Sequence, residues 1–228
     1  MKTGYESGIG AWYDKLAFEK ACGGGSYPNN NVAYCKALID HLQLLNVSKV
    51  VDLGCGNLQS YKGNIDWSTT DIQYVGYEAN HIALKELKKN YPEMRFEQAI
   101  LGDIPEPADA IIVKDVLIHW YDEAITSFFD RVFENFRYVI YMHSTTNRGY
   151  PNRTKREMYN KRDPSDRIGY KPDSGQVPPE GYTFWPKPNG CYGYKCVPEE
   201  LLPSSKVIHQ KNIMGDSMKT FMVFDREK

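Results

Sequence analysis

The sequence predicts an α/β fold with a mostly parallel sheet and helices on both of its faces. Two observations carry this prediction. Short apolar segments that suit buried strands alternate along the chain with segments in which apolar residues recur every three or four positions, as on one face of a helix. The segment 109–114 is nearly continuously apolar, as expected of a parallel strand that is covered on both faces. Strands that alternate with helices form parallel sheets through right-handed crossovers.

The predicted elements follow one another regularly as far as residue 142. In chain order they are a helix over residues 31–45, strands over 49–53 and 73–77, a helix over 81–90, strands over 95–99 and 109–114, a helix over 122–136 and a strand over 138–142. Two late strands, over residues 206–209 and 220–224, are joined by a turn and bring the total to seven.

The alternation stops after His143. Residues 145–204 hold nine of the thirteen prolines, and proline is disfavoured in regular helices and central strands. We therefore expect this stretch to be an irregular insertion or lid without a core of its own. The length of 228 residues suits one domain over the whole chain, with residues 1–30 as an N-terminal cover segment.

The overall charge is close to neutral but unevenly distributed. The chain has 28 basic and 29 acidic residues, which argues against a protein coated in basic residues for nucleic-acid binding. Residues 148–171 nevertheless contain eight basic and three acidic residues, or +5, so the rest of the chain carries −6. The window suits an anionic ligand, and a solvated basic loop is the alternative. No apolar run approaches the ~18 residues of a membrane-spanning helix, so no membrane partner is expected.

The five cysteines include no Cys-x-x-Cys pair, and structural zinc sites favour such closely spaced ligands. We therefore expect no metal site, and reduced thiols in a cytoplasmic protein. A role for Cys191 and Cys196 as a pair stays open as the alternative.

A glycine-rich turn follows the first predicted strand in the run Asp52-Leu53-Gly54-Cys55-Gly56. Glu78 ends the next strand, 24 positions after Gly54, where nucleotide-binding folds place a ribose-binding carboxylate. The third glycine of a dinucleotide fingerprint is replaced by Gln59, which weakens a pyrophosphate site. The pattern favours a ligand with a ribose and no phosphate over a simple strand-to-helix turn.

These residues resemble class I S-adenosylmethionine-dependent methyltransferases. The run from Asp52 to Gly56 looks like the first motif of that family, which implies a Rossmann-like fold and places Asp52, Gly54, Cys55 and Gly56 at the cofactor. The resemblance also implies that Glu78 meets the ribose of the cofactor and that the adjacent Ala79 binds the cofactor. It further implies that the two late strands form a closing antiparallel pair. The implied cofactor is S-adenosylmethionine, with S-adenosylhomocysteine as product.

Further segments extend the resemblance. Gly102-Asp103-Ile104 looks like the segment whose acid meets the adenine, and Lys114-Asp115-Val116-Leu117-Ile118-His119-Trp120 resembles the end of the family's fourth strand, beside the methyl group. The stretch that includes Gly25 and Ser26 resembles a subgroup in which it lies over the cofactor, with a flexible linker as the alternative. Leu58 stands where the family usually has a further glycine, so the path of the loop is open.

His119 and Asp115 are the candidates for the chemistry. Methyl transfer needs proximity, orientation and, for a poor nucleophile, removal of a proton. Histidine titrates near neutral pH, so His119 is the predicted base, with orientation of the loop as its alternative role. Asp115 can instead orient the backbone or contact the cofactor.

We expect methyl transfer to an oxygen or nitrogen of a small-molecule or sugar-like acceptor that the insertion covers, and this acceptor could be anionic. The alternatives are a methyltransferase acting on RNA or a nucleotide, and a non-catalytic protein that binds S-adenosylmethionine. The protein is expected to be a monomer or a homodimer.

Overall fold

A computed structural model describes residues 26–99, 104–117, 122–144, 201–213 and 219–228. These residues form one seven-stranded sheet in the order β3-β2-β1-β4-β5-β7-β6. The strands are β1 (Lys49–Leu53), β2 (Gln73–Glu78), β3 (Arg95–Gln98), β4 (Ala108–Lys114), β5 (Phe136–Ser144), β6 (Val207–Ile213) and β7 (Lys219–Asp225). The first five strands run parallel to one another, and β7 pairs antiparallel with both β5 and β6. The predicted sheet, with its closing antiparallel pair, is confirmed.

Three α-helices within the described ranges cover the sheet: α1 (Val32–Leu44), α2 (His81–Asn90) and α3 (Asp122–Asn135). The buried residues of α1 and α2 join one apolar cluster, and those of α3 join a second. Strands β1, β4 and β5 supply residues to both clusters, because successive side chains of a strand point to opposite faces. Helices therefore lie on both faces, as predicted. Among the described residues, no helix is long and apolar enough to cross a membrane.

Strands β5, β6 and β7 are longer than predicted. Strand β5 begins at Phe136, directly after α3, and continues to Ser144, where it pairs with Lys219 of β7. Strand β6 continues through the exposed residues Gln210 and Lys211. A polar and a charged residue suit this position because β6 lies at the edge of the sheet, where such residues discourage pairing with another chain.

The strand order places a crevice at the carboxyl ends of β1 and β4. From β1 the chain crosses to β2 on one side, and β4 pairs with β1 on the other side. In open α/β sheets, ligands bind outside the carboxyl ends of the strands at such a reversal of strand order. The glycine-rich turn after β1 lies at this point.

Candidate cofactor-binding site

The turn after β1 has three residues in the left-handed region of backbone space: Gly54 with φ 76°, Gly56 with φ 58° and Leu58 with φ 60°. The amides of Gly54 and Cys55 donate to the carbonyl oxygen of Tyr77 at 2.8 and 3.1 Å, so the turn is attached to the end of β2. Leu58 adopts a backbone conformation that glycine favours. It is also buried, and packing of its side chain offsets the backbone strain.

Gly54 also allows close contact with the segment after β4. A Cβ atom at this position would overlap Cγ2 of Val116. A side chain at residue 54 would therefore push the turn after β1 away from the segment after β4. This contact joins two of the predicted cofactor-binding segments at the crevice.

Glu78 is held at the end of β2 by backbone amides. Its Oε2 accepts from the amide of Gly56 at 2.8 Å, and its Oε1 accepts from the amide of Asn80 at 2.8 Å. Burial raises the pKa of Glu78, and hydrogen bonds from Asn80, Gly56 and Ala79 oppose that rise. A carboxylate has about four acceptor positions, so these three contacts leave about one position for a ligand hydroxyl.

Asp52 is a buried carboxylate with two hydroxyl donors. The hydroxyls of Tyr74 and Tyr61 lie 2.7 and 2.8 Å from its Oδ2. Burial raises the pKa of Asp52 to about 6, although these two hydrogen bonds and the charge of Lys114 act in the opposite direction. Asp52 therefore titrates close to neutral pH.

Asp115 accepts from two lysines. The Nζ atom of Lys114 lies 3.0 Å from Oδ2 of Asp115, and the Nζ atom of Lys219 contacts the same oxygen. Burial would raise the pKa of Asp115, but the two ammonium groups outweigh it and hold the pKa at about 2. Asp115 has φ 57°, and its amide donates to the carbonyl oxygen of Met142 at 2.9 Å. Its side chain and backbone are thus both anchored at the end of β4.

The structure brings several of the predicted residues into one small cleft of about 40 Å³. It is lined by Ser26, Asp52, Gly54, Cys55, Gly56, Gln59, Ser60, Tyr61 and Lys114. Glu78 and Asp115 are bonded to the cleft residues Gly56 and Lys114. Among the described residues, no group of three or more metal-ligating side chains is present.

Other predicted residues lie elsewhere. Ile104 packs against the apolar cluster on the α3 side of the sheet, which is not the side that Asp52 and Lys114 face. Gly25, Gly102, Asp103 and His119 lie outside the described residues, as do most of the insertion and the whole basic window. Their roles stay predictions.

The sequence interpretation missed Tyr61, Tyr74 and Lys219. The sequence predicts Tyr74 only as part of a strand. In the parallel pair, Asp52 lies opposite Gly76, so Tyr74, two residues earlier, is on the same face as Asp52. The register of the two strands is therefore the signal that could have found this contact. Lys219 begins β7, more than a hundred residues after its partner Asp115. No local pattern indicates the contact between Lys219 and Asp115.

The fold is that of class I S-adenosylmethionine-dependent methyltransferases, as three solved structures show. Magnesium protoporphyrin IX methyltransferase from Synechocystis PCC 6803, with bound S-adenosylhomocysteine, is 14% identical, with a TM-score of 0.54 over 87% of this chain and 85% of that one. The methyltransferase domain of bacterial CtHen1-CN is 15% identical, with a TM-score of 0.54 over 86% of this chain and 100% of that one.

An S-adenosylmethionine-dependent methyltransferase from Clostridium acetobutylicum ATCC 824 is 9% identical, with a TM-score of 0.54 over 86% of this chain and 91% of that one. No protein-family model matches the sequence, and no curated protein matches it. At these identities the likeness is one of fold.

Proposed function

We propose that this protein is an S-adenosylmethionine-dependent methyltransferase that transfers a methyl group to an oxygen or nitrogen of a small-molecule or sugar-like acceptor. The observation that carries the proposal is the hydrogen bond from the Gly56 amide to Glu78, 2.8 Å long. It joins a glycine turn, which allows close approach of a ligand, to a carboxylate at the next strand end, which suits ribose hydroxyls.

The described residues fit the proposed cofactor. Glu78 would accept a hydrogen bond from a ribose hydroxyl, and the glycine turn would pass close to the ligand. Asp52, one of the residues that line the cleft, would bind the ammonium group of the cofactor's methionine part. When bound, the cofactor supplies a methyl group on a sulfonium.

Asp115 is better suited to orientation than to proton removal. With its pKa held at about 2 by Lys114 and Lys219, it is a weak base near neutral pH. We therefore propose that Asp115 orients the segment after β4. His119, four residues further along the chain, is the proposed base where the acceptor must lose a proton.

Calorimetry with S-adenosylmethionine and S-adenosylhomocysteine tests the proposal. We expect the wild type to bind both, and Glu78→Gln to weaken binding by about tenfold, because a neutral amide is a poorer acceptor for a hydroxyl. Glu93→Gln is the control, since Glu93 is exposed and comes just before the start of β3, whereas Glu78 lies at the end of the parallel strand β2. A wild type that binds neither compound would contradict the proposal.

Turnover separates the remaining candidates. Transfer of a labelled methyl group to members of a small-molecule and sugar panel supports the proposal, whereas cofactor binding without turnover favours a non-catalytic binding protein. Transfer to RNA, with an affinity that falls on a log–log plot of salt by roughly 0.7–0.9 per phosphate contact, favours the nucleic-acid alternative. That the protein is a monomer or a homodimer stays a prediction, which a light-scattering measurement of its molar mass would test.

A further inference from the structure

We propose that His41 of α1 and His209 of β6 form a pH-sensitive contact, which holds the edge strand to the helix at neutral pH and releases it in acid. The two residues are not part of the cleft assigned to the cofactor. The insertion predicted over residues 145–204 leads directly into β6. The contact therefore sets how firmly the strand after the predicted acceptor cover is attached to α1.

The two imidazole rings meet between the helix and the edge strand. Their centres are 4.2 Å apart, and their planes are inclined at 55°. Phe221 of β7 packs against both rings, with its centre 5.1 Å from that of His41 and 6.0 Å from that of His209. Phe221 is fully buried, whereas the two histidines are half-buried. The pair thus joins α1, β6 and β7 around one aromatic residue of the core.

His41 can take up a proton without moving. Its Nδ1 lies 2.8 Å from the carbonyl oxygen of Ala37. A carbonyl oxygen only accepts, so Nδ1 carries a hydrogen whether the ring is neutral or charged. His41 also lies in the last turn of α1, where the helix dipole favours a positive charge.

His209 is in a different position, because its Nε2 is enclosed and has no hydrogen-bond partner among the described residues. A charged imidazole donates from both nitrogens, so protonation would leave an enclosed donor at Nε2 without an acceptor. The ring can satisfy this donor by turning to water, which separates it from His41 and Phe221. Burial lowers the pKa of His209 below its ordinary 6.5, and the charges of His41 and Lys211 lower it further.

The charges around His209 oppose its protonation. Lys211 lies two residues further along β6, on the same face of the strand. On α1, Asp40 is exposed and is bound to Lys36 at 2.8 Å. None of the β7 residues that pair with residues 209–212 titrates; they are Val223, Met222, Phe221 and Thr220. A proton on His209 therefore meets the positive charge of Lys211 and, in acid, that of His41.

The direction of the pH effect follows from the lowered pKa of His209. Once released into water, this ring titrates at its ordinary 6.5, so the released strand binds a proton more readily than the attached one. The attachment is fully present above about pH 6.5 and is lost as the pH falls through the lowered pKa. Since β6 is an edge strand, it can open locally while the centre of the sheet stays folded.

Amide hydrogen exchange at pH 7 and pH 5 tests the proposal, with protection expressed relative to an unstructured chain at each pH. Between these values we expect the protection of β6 to fall about threefold to tenfold more than that of the central strand β1. His209→Phe keeps a ring that cannot be charged, and it should abolish this excess loss. His81→Gln, at an exposed position at the start of α2, is the control and should retain it.

An NMR titration of the His209 ring tests the pairing without a change at that residue. The pKa of His209 should lie below 6.5 in the wild type and should rise in His41→Phe, which keeps the packing and removes the charge. An unchanged pKa in that variant, or an equal loss of β6 protection in the wild type and His209→Phe, would overturn the inference. So would a β6 strand that loses no more protection than β1. Neither experiment uses the cofactor, so a failure here leaves the proposed function intact.

Discussion

The hydroxyl of Tyr74, on β2, lies 2.7 Å from Oδ2 of Asp52, on the neighbouring strand β1. Tyr61 donates to the same oxygen from the loop after β1. Two donors on one carboxylate oxygen hold Asp52 in a single orientation at the cleft, and burial keeps its pKa at about 6. Cofactor binding should therefore depend on pH in the range where this carboxyl ionises.

Binding of S-adenosylhomocysteine should strengthen between pH 5 and pH 7. The ammonium group of the ligand is charged throughout this range, while Asp52 gains its negative charge as the pH rises through about 6. Asp52→Asn should give a lower affinity with little pH dependence, and 5′-methylthioadenosine, which lacks the ammonium group, should bind the wild type with a flat profile. Calorimetry at three pH values measures this, and a pH-independent wild type would contradict the role of Asp52.

The stability that Asp115 provides should be lost in acid. Its folded pKa of about 2 lies below the ordinary value of 3.8, so its contribution is present above about pH 4 and is lost as the pH falls toward 2. The shift corresponds to about 2 kcal/mol. The free energy of unfolding of the wild type should fall by about this much more than that of Asp115→Asn between pH 5 and pH 2. Urea titrations measure the difference, and parallel curves would exclude it.

At position 58, replacement by glycine should leave a more stable protein than replacement by alanine. The φ of 60° at Leu58 costs about 1 kcal/mol for any residue with a Cβ, and glycine does not bear this cost. Both variants lose a buried side chain, but Leu58→Gly should unfold with a free energy about 1 kcal/mol higher than Leu58→Ala. At Leu84, buried within α2, the order should be reversed, which makes that pair of variants the control. The same order at both positions would count against a strained turn.

Gly54→Ala should destabilise the protein by about 2–4 kcal/mol, because its Cβ overlaps Val116 and its φ of 76° disfavours a side chain. In the background of Val116→Ala, which removes the overlapping methyl group, the same substitution should cost less but should not become neutral. Thermal or chemical denaturation of the four proteins in this cycle gives the coupling. Equal costs in both backgrounds would place the strain entirely in the backbone.

Much of the fold was predictable because its signals are local. The periodicities around Leu38 and Leu84 and the apolar run of β4 specify helix or strand within a few residues. The position of the glycine turn after β1 and of Glu78 at the end of β2 was predictable for a similar reason. A glycine that allows a positive φ and a carboxylate at a strand end can each be read from a single position in the sequence. The ends of β5 and β6 were not predictable, because pairing with β7 extends them through residues without an apolar pattern.

Local patterns therefore sufficed for the order of elements and for the residues of the glycine turn. Only the tertiary structure decided which groups surround Asp52 and Asp115. Tyr61 and Tyr74 reach Asp52 over 9 and 22 residues of chain, and Lys219 reaches Asp115 over 104. Such contacts depend on the order and register of the strands, which bring together side chains that no short stretch of sequence contains. Burial and these contacts together set the pKa of each carboxylate, so the electrostatics of the cleft are a product of the assembled sheet.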